Sequence, residues 1–191
     1  MKKSHFIIVL LFGLSVQSQD FKIPDFQFIM NIDQVNPYIE LLGLKDKNSL
    51  CIKAGNVNSP YYLAFQNDGK VFKAFTDMDK KGELRLNIEE IKSKKKKIVY
   101  YKYLEDLFLM DKLNIDKKEL NITKKPLGNG KVQIITCSHC SPDVFEIIKG
   151  NKTTFFGLEM TDKYIEEEYP GIEDKKKFAS LLKDFYILIE N

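Results

Sequence analysis

From Leu50 onward the chain repeats one pattern, a short apolar run closed by turn chemistry, and that pattern is the signature of successive strands. Residues 61–66 and 71–75 flank Asn67-Asp68-Gly69-Lys70, where Gly69 after Asp68 supplies the positive φ that a tight hairpin requires. A second turn, Asp77-Met78-Asp79-Lys80-Lys81-Gly82, leads into residues 84–88, where apolar and polar side chains alternate with period two. The spacing predicts three antiparallel strands in succession.

Farther along the signals are mixed. Residues 88–92 fit a helical turn, and residues 98–103 (IVYYKY) have the β-branched and aromatic content of a strand. Residues 104–113 suit helix periodicity and, almost equally, a strand. Leu120 and Ile122 alternate with polar neighbours toward Pro126 and the Gly128-Asn129-Gly130 turn, and residues 132–136 (VQIIT) read as another strand. Residues 144–148 and 153–158 pair across Lys149-Gly150-Asn151-Lys152, although Pro142 with Ser141 as cap also allows a helix to begin there. The chain closes on a helix over residues 173–189, whose Phe178, Leu181, Leu182, Phe185, Tyr186 and Ile189 share one broad face. Before Leu50 the reading is thinner. Phe21, Ile23, Phe26 and Phe28 alternate irregularly around Pro24, and residues 35–44 fit a short helix with Pro37 in its first turn.

Residues 1–18 read as a cleavable secretory signal. Lys2 and Lys3 form a basic start, residues 6–14 (FIIVLLFGL) are uninterruptedly apolar, and Val16 and Ser18 place small residues before a cut at Gln19. So short an apolar run falls well below the roughly 20 residues a helix needs to cross a bilayer. No cysteine follows it to take a lipid, and no later stretch is long enough to span. The expected product is a secreted or periplasmic protein.

Removing Lys2 and Lys3 from the 30 basic residues leaves 28 against 27 acidic ones, a net charge of +1. That balance, with Arg85 the sole arginine, argues against nucleic acid as partner, because lysine lacks the fork that reads phosphates and bases bidentately. Lys92 with Lys94, Lys95, Lys96 and Lys97 forms the one conspicuous charge run. It reads first as a solvated connection and second as a patch for acidic lipid or polysaccharide.

The stretch from Pro60 to about Pro126 resembles the carboxypeptidase regulatory-like domain, a transthyretin-like β-sandwich. The likeness is carried by Asn67-Asp68-Gly69-Lys70-Val71, then Phe75-Thr76-Asp77, then Gly82-Glu83-Leu84-Arg85-Leu86. Residues 97–103 are similar to the family's strand that ends in Gly-Tyr, here with Leu104 following Tyr103 and no glycine. Leu120-Asn121-Ile122 with Pro126 stand for its closing strand. The resemblance implies a non-catalytic accessory module and transfers no active-site residues.

Cys137-Ser138-His139-Cys140 is the one constellation with evident chemistry. Directly after a strand and ahead of a possible helix start, it sits where thioredoxin-like enzymes hold a redox pair. A helix N-terminus would stabilise the Cys137 thiolate, with Cys140 as the resolving thiol. Only 51 residues follow Cys140, too few for the rest of that fold. An exported chain more commonly oxidises such cysteines to a structural disulfide. With three cysteines, Cys137 pairs with Cys140 or one of them pairs with Cys51, and one sulfur is left over. A bridge from Cys51 would close a loop of more than eighty residues, worth about 4 to 5 kcal/mol in the chain-entropy model. A metal held by Cys51, Cys137, Cys140 and His139 is the remaining alternative, weakened because His139 lies inside the C-x-x-C.

Other motifs read as ordinary structure. Asp77 to Gly82 opens like a calcium loop but has Lys81 at position five and Ile88 at position twelve. Glu166-Glu167-Glu168 suits a solvated helix face. Asn121-Ile122-Thr123 and Asn151-Lys152-Thr153 match the glycosylation pattern, which matters only in a eukaryotic secretory route. Covalent haem needs a histidine where Ser141 stands. No cofactor is expected.

These signals predict a mainly β, α+β protein: an antiparallel transthyretin-like β-sandwich with a C-terminal amphipathic helix. Its parts are a signal at 1–18, an unassigned segment at 19–48, a sandwich-like region at 49–128, and a strand, hairpin and helix at 129–191 packed on the same domain. The expected role is non-catalytic binding or scaffolding in the cell envelope, with a protein or surface glycan as partner. Thiol-disulfide oxidoreduction at Cys137 and Cys140 is the alternative.

Overall fold

The computed structural model describes residues 21, 23, 30–31, 37–43, 49–78, 84–138 and 140–190. Residues 1–18, expected as a secretory signal, residues 79–82, expected as a turn, and His139 lie outside the described residues, as do Pro24, Phe26, Phe28, Val35 and Leu44.

Strands β2 (Leu50–Asn56), β3 (Tyr61–Phe65), β4 (Val71–Met78) and β5 (Leu84–Glu90) form an antiparallel meander. Its best-predicted corner is as the sequence requires. Gly69 has φ +78, and its amide donates to the Gln66 carbonyl at 3.0 Å, while Asp68 Oδ1 accepts from the Lys70 amide at 3.1 Å. A second hairpin, β8 (Asp143–Lys149) and β9 (Lys152–Leu158), turns through Gly150 at φ +60 and lies against β2. With the two-residue β1 (Met30–Asn31) at one edge, the described strands give a seven-stranded antiparallel sheet in the order β1-β9-β8-β2-β3-β4-β5. Pairing of β2 with β8, from Leu50 opposite Lys149 to Asn56 opposite Asp143, puts both hairpin systems in one sheet.

The layer over this sheet is helical, where the sequence reading expected a second sheet. α2 (Lys94–Leu109) and α5 (Ile172–Glu190) lie across one face, with the short α3 (Lys117–Leu120) and α4 (Thr161–Glu166) beside them. Residues 98–103, expected as a strand, belong to α2. Ser93 caps that helix by accepting from the Lys96 amide at 3.4 Å, and Tyr100, Leu104 and Leu107 continue an i, i+4, i+7 stripe into the core. Local β-propensity lost to a sixteen-residue helix that buries Tyr100, Tyr101, Tyr103, Leu104 and Leu107. Conversely, residues 88–90, expected as a helical turn, finish β5 opposite β4. Leu120 ends α3, and strand β6 (Lys124–Gly128) begins only after Ile122.

Alternate residues of the sheet serve two cores. Leu50, Ile52, Leu63, Phe65, Phe145, Ile147 and Phe156 face the helices and meet Leu104, Phe178, Leu181 and Phe185. Phe185 is wholly buried, with Phe145 edge-on at 6.1 Å and Tyr103 at 6.4 Å between ring centroids. Truncating such a ring typically costs about 3–5 kcal/mol. On the opposite face Cys51, Tyr62, Ala64 and Ala74 pack under Tyr38 and Leu42, contributed by α1 (Pro37–Leu41) and the residue after it. α5 reproduces the predicted C-terminal helix and its apolar face.

Strand β6 pairs with β7 (Lys131–Ile134) in a separate hairpin. Lys125 donates to the Glu167 carbonyl and Gln133 to the Glu167 carboxylate, which ties this hairpin to the end of α4. Among the described residues no helix is long and apolar enough to cross a membrane.

Candidate functional site

The cysteines divide between two places. Cys137 and Cys140 form a disulfide, Cα atoms 5.6 Å apart, in the exposed connection from β7 to β8. Cys51 is the free one, buried in β2 on the sheet face away from α2 and α5. The element after Cys140 is strand β8 and not a helix. The helix N-terminus invoked to stabilise a Cys137 thiolate is therefore missing, and the cap proposed for Ser141 has no helix to cap. Ser141 instead joins the β2–β3 turn: its hydroxyl accepts from Asn58 Nδ2 at 2.6 Å, and its carbonyl from Asn56 Nδ2 at 3.3 Å.

The metal set suggested by the sequence is not assembled. The sulfurs of Cys137 and Cys140 are bonded to one another, Cys51 is sealed within a strand, and His139 lies outside the described residues. Among the described residues no three His, Cys, Asp or Glu side chains gather to hold an ion. Burial first, then the nearby Glu146 carboxylate, push the Cys51 thiol far above its ordinary value, so it stays protonated. Glu146 itself accepts from the Tyr38 hydroxyl at 2.8 Å. Asp77 sits in β4 opposite Arg85, and Glu167 is held by Lys163 at 3.3 Å, both structural settings.

A different place has the shape of a binding site. Residues of α2 and α5 line a groove of about 410 Å3. Its wall on α2 is Lys96, Val99, Tyr100, Lys102, Tyr103 and Asp106, residues that helical spacing brings to one side. Asp184, Ile187 and Leu188 of α5 face them, and Lys112 closes the site with a 2.7 Å ion pair to Asp184. Val99 is 52% exposed and Ile187 51%, so two large aliphatic side chains meet solvent across the same opening.

Tyr103, on the groove wall, carries a buried hydroxyl. The residue is only 9% exposed, yet its hydroxyl has no hydrogen-bond partner among the described residues. Burial, followed by the charge of Asp184, raises its phenol well above the usual tyrosine range, so it remains a neutral potential donor. The arrangement suits an apolar body with a polar group, and its volume lies at the lower end of the ~300–1,000 Å3 typical of small-molecule sites. Sequence reasoning missed these residues because residues 98–103 read as a strand. Extending the window from Ser93 to Leu107 exposes the cap and the helical stripe that place Val99 and Tyr103.

No protein-family model matches the chain, and the search of curated proteins likewise finds no match.

Proposed function

We propose that the protein is an exported, non-catalytic binding module of the cell envelope whose groove between α2 and α5 receives a small amphipathic molecule. One observation carries the reading: Tyr103, on the wall of an apolar, solvent-open groove, holds a buried hydroxyl with no hydrogen-bond partner among the described residues. An unpaired buried hydroxyl costs a fold about 1–3 kcal/mol, and functional sites are where such a cost is tolerated. Export rests on the signal-like residues 1–18 and on the exposed Cys137–Cys140 disulfide, a bond typical of oxidising compartments. A protein or surface glycan held elsewhere on the molecule would make it a scaffold as well.

A thermal-shift screen of small amphipathic compounds tests the groove, run in parallel on wild type, Tyr103→Phe and Val99→Glu. Compounds that raise the wild-type melting temperature and lose their effect in both variants support the reading. Shifts that persist in Val99→Glu, or none from any compound, end it. Amino-terminal sequencing of exported material should begin at Gln19.

A second reading, thiol-disulfide oxidoreduction with Cys137 attacking and Cys140 resolving, is favoured by the solvent exposure of that disulfide. Insulin reduction by wild type but not by Cys137→Ser would establish it, and equal background rates would remove it.

A further inference from the structure

We infer that β5, the last strand of the sheet, pairs antiparallel with β5 of a second copy of this chain about a two-fold axis at Asn87, so that two sheets join into one. This surface is separate from the α2–α5 groove, and the inference stands whether or not the groove takes a ligand.

Among the described residues the sheet ends at β5, with β4 on one side and no strand on the other. A long edge strand is a template for another strand, and natural proteins blunt such edges with proline, lysine or a bulge. β5 has none of the three: it reads LRLNIEE, and its register to β4 is unbroken from Phe72 opposite Glu90 to Met78 opposite Leu84. The Ile91 amide donates to the Val71 carbonyl at 2.8 Å, which fixes the alternation of the ladder. Residues 85, 87 and 89 therefore turn their backbone groups toward β4, and residues 84, 86, 88 and 90 turn theirs outward. An axis at Asn87 sets the outward groups against each other, Leu86 opposite the second copy's Ile88 and Leu84 opposite its Glu90.

The side chains fit the same register. Within one chain Lys73 meets Glu89 at 3.4 Å, and Asp77 lies opposite Arg85. The axis places Glu89 opposite the second copy's Arg85, and the reverse, so the row across the join runs Lys73, Glu89, Arg85, Asp77 with the sign alternating at every step. Opposite charges facing across strands stabilise a sheet, and like charges oppose it. On the other face the row is Ala74, Ile88, Leu86, Thr76, which brings Ile88, 43% exposed, against an aliphatic neighbour. Moving the axis to Leu86 or Ile88 would set Arg85 against Asn87 or Ile91 and lose the charge match. The order of residues in β5 thus suits a copy of itself.

Sedimentation equilibrium of the purified protein at high-micromolar chain concentration tests this, with the fold of each variant checked by circular dichroism. Wild type should be dimeric. Arg85→Glu and Glu89→Arg each put like charges across the axis twice, and each should raise the dimer dissociation constant about tenfold or more. Mixed in equal amounts they should regain a dimer with one chain of each, because every pair across the axis is again of opposite sign. Asn87→Cys faces its own copy at disulfide range and should cross-link under mild oxidation into a dimer that reductant releases. A monomeric wild type would overturn the inference and leave the edge to the strand of another protein. A dimer that both charge variants leave intact, or a mixture that stays monomeric, would overturn it by denying this register. Should either charge variant lose its fold, Asn87→Cys decides alone, and the absence of a cross-link would refute the axis.

Discussion

The ammonium of Lys175, a wholly buried side chain in α5, donates to the backbone carbonyl of Glu119 at the end of α3 at 3.0 Å. The same ammonium donates to the Pro170 carbonyl at 2.7 Å and lies over the Tyr164 ring, 5.8 Å from its centroid. One cation therefore closes the end of one helix, the turn before another, and an aromatic face of α4. Replacing it by methionine keeps the aliphatic stem but strands two carbonyls, and each unsatisfied group costs about 1–3 kcal/mol. Relief from burying a charge offsets part of that. Lys175→Met should lower the unfolding free energy in urea by about 2 kcal/mol, and an unchanged midpoint would show that solvent reaches these carbonyls.

Gly171 meets the same carbonyl from the other side. It has φ +74, and a Cβ built there would fall 2.1 Å from the Glu119 oxygen, nearer than any real contact. Gly171→Ala combines left-handed strain with displacement of the α3–α5 junction, for a loss of about 3 kcal/mol. Gly43→Ala is the control, since its φ is +62 but, its chain neighbours aside, no atom of the described residues lies within 4 Å of the added carbon. If the two variants melt alike, the close approach is not a constraint.

Tyr103→Phe should do the opposite and stabilise the protein by about 1 kcal/mol, because the hydroxyl it removes has no partner among the described residues in exchange for its lost hydration. The ring and its edge-on packing at 6.4 Å from Phe185 are retained. A destabilised variant would mean that the hydroxyl is satisfied, and would withdraw the main support for the groove as a binding site.

Stability should fall on the alkaline side, starting near pH 10. Burial, then Asp68, pushes the Tyr101 phenol up to about 12. Burial is also the leading cause of the upward shifts at Tyr103, with Asp184 second, and at Tyr100, with Glu89 second. Above pH 10 the unfolded chain releases these protons while the folded one keeps them. Their contribution is complete below pH 10 and is lost progressively as the pH rises toward 12. Lys175 is shifted downward, chiefly by desolvation, and acts in the reverse sense over its own range: stability gains as the pH climbs toward 10.5. Three tyrosines outweigh that one amine. Urea midpoints followed from pH 8 to 11 should decline past pH 10, less steeply in Tyr103→Phe, and a flat profile would contradict the burial of these phenols.

The hairpins were legible in the sequence because their signals are local. Asp68-Gly69 and Gly150-Asn151 each sit between apolar runs, and turn chemistry does not depend on what packs above it. The final helix was legible because Phe178, Leu181, Leu182 and Phe185 mark its face by spacing alone. α2 was not, since its Ile98, Val99, Tyr100, Tyr101 and Tyr103 have the composition of a strand and become a helix through Ser93 and burial against Phe65 and Phe185. The groove followed α2 out of view: Val99 and Ile187 are 88 positions apart and meet only through the tertiary fold. Likewise, sequence placed Cys137 and Cys140 near one another but left three pairings open, and the sealed position of Cys51 decides among them.

That last assignment makes a chemical prediction. Cys51 is 1% exposed, in a central strand with partners on both sides, and its thiol is held protonated by burial. Attack on an aromatic disulfide reagent requires an accessible thiolate, and Cys51 offers neither access nor charge. Native protein should therefore release no chromophore at pH 8, and one equivalent after denaturation without reductant. Mild reduction should open only the exposed Cys137–Cys140 bond, giving two reactive thiols in otherwise folded protein. That ring of four residues is worth about 2 kcal/mol in the chain-entropy model, so the reduced form should remain folded with a modestly lower melting temperature. A thiol that reacts in the untreated native state, or a peptide map joining Cys51 to either partner, would refute this arrangement of the three sulfurs.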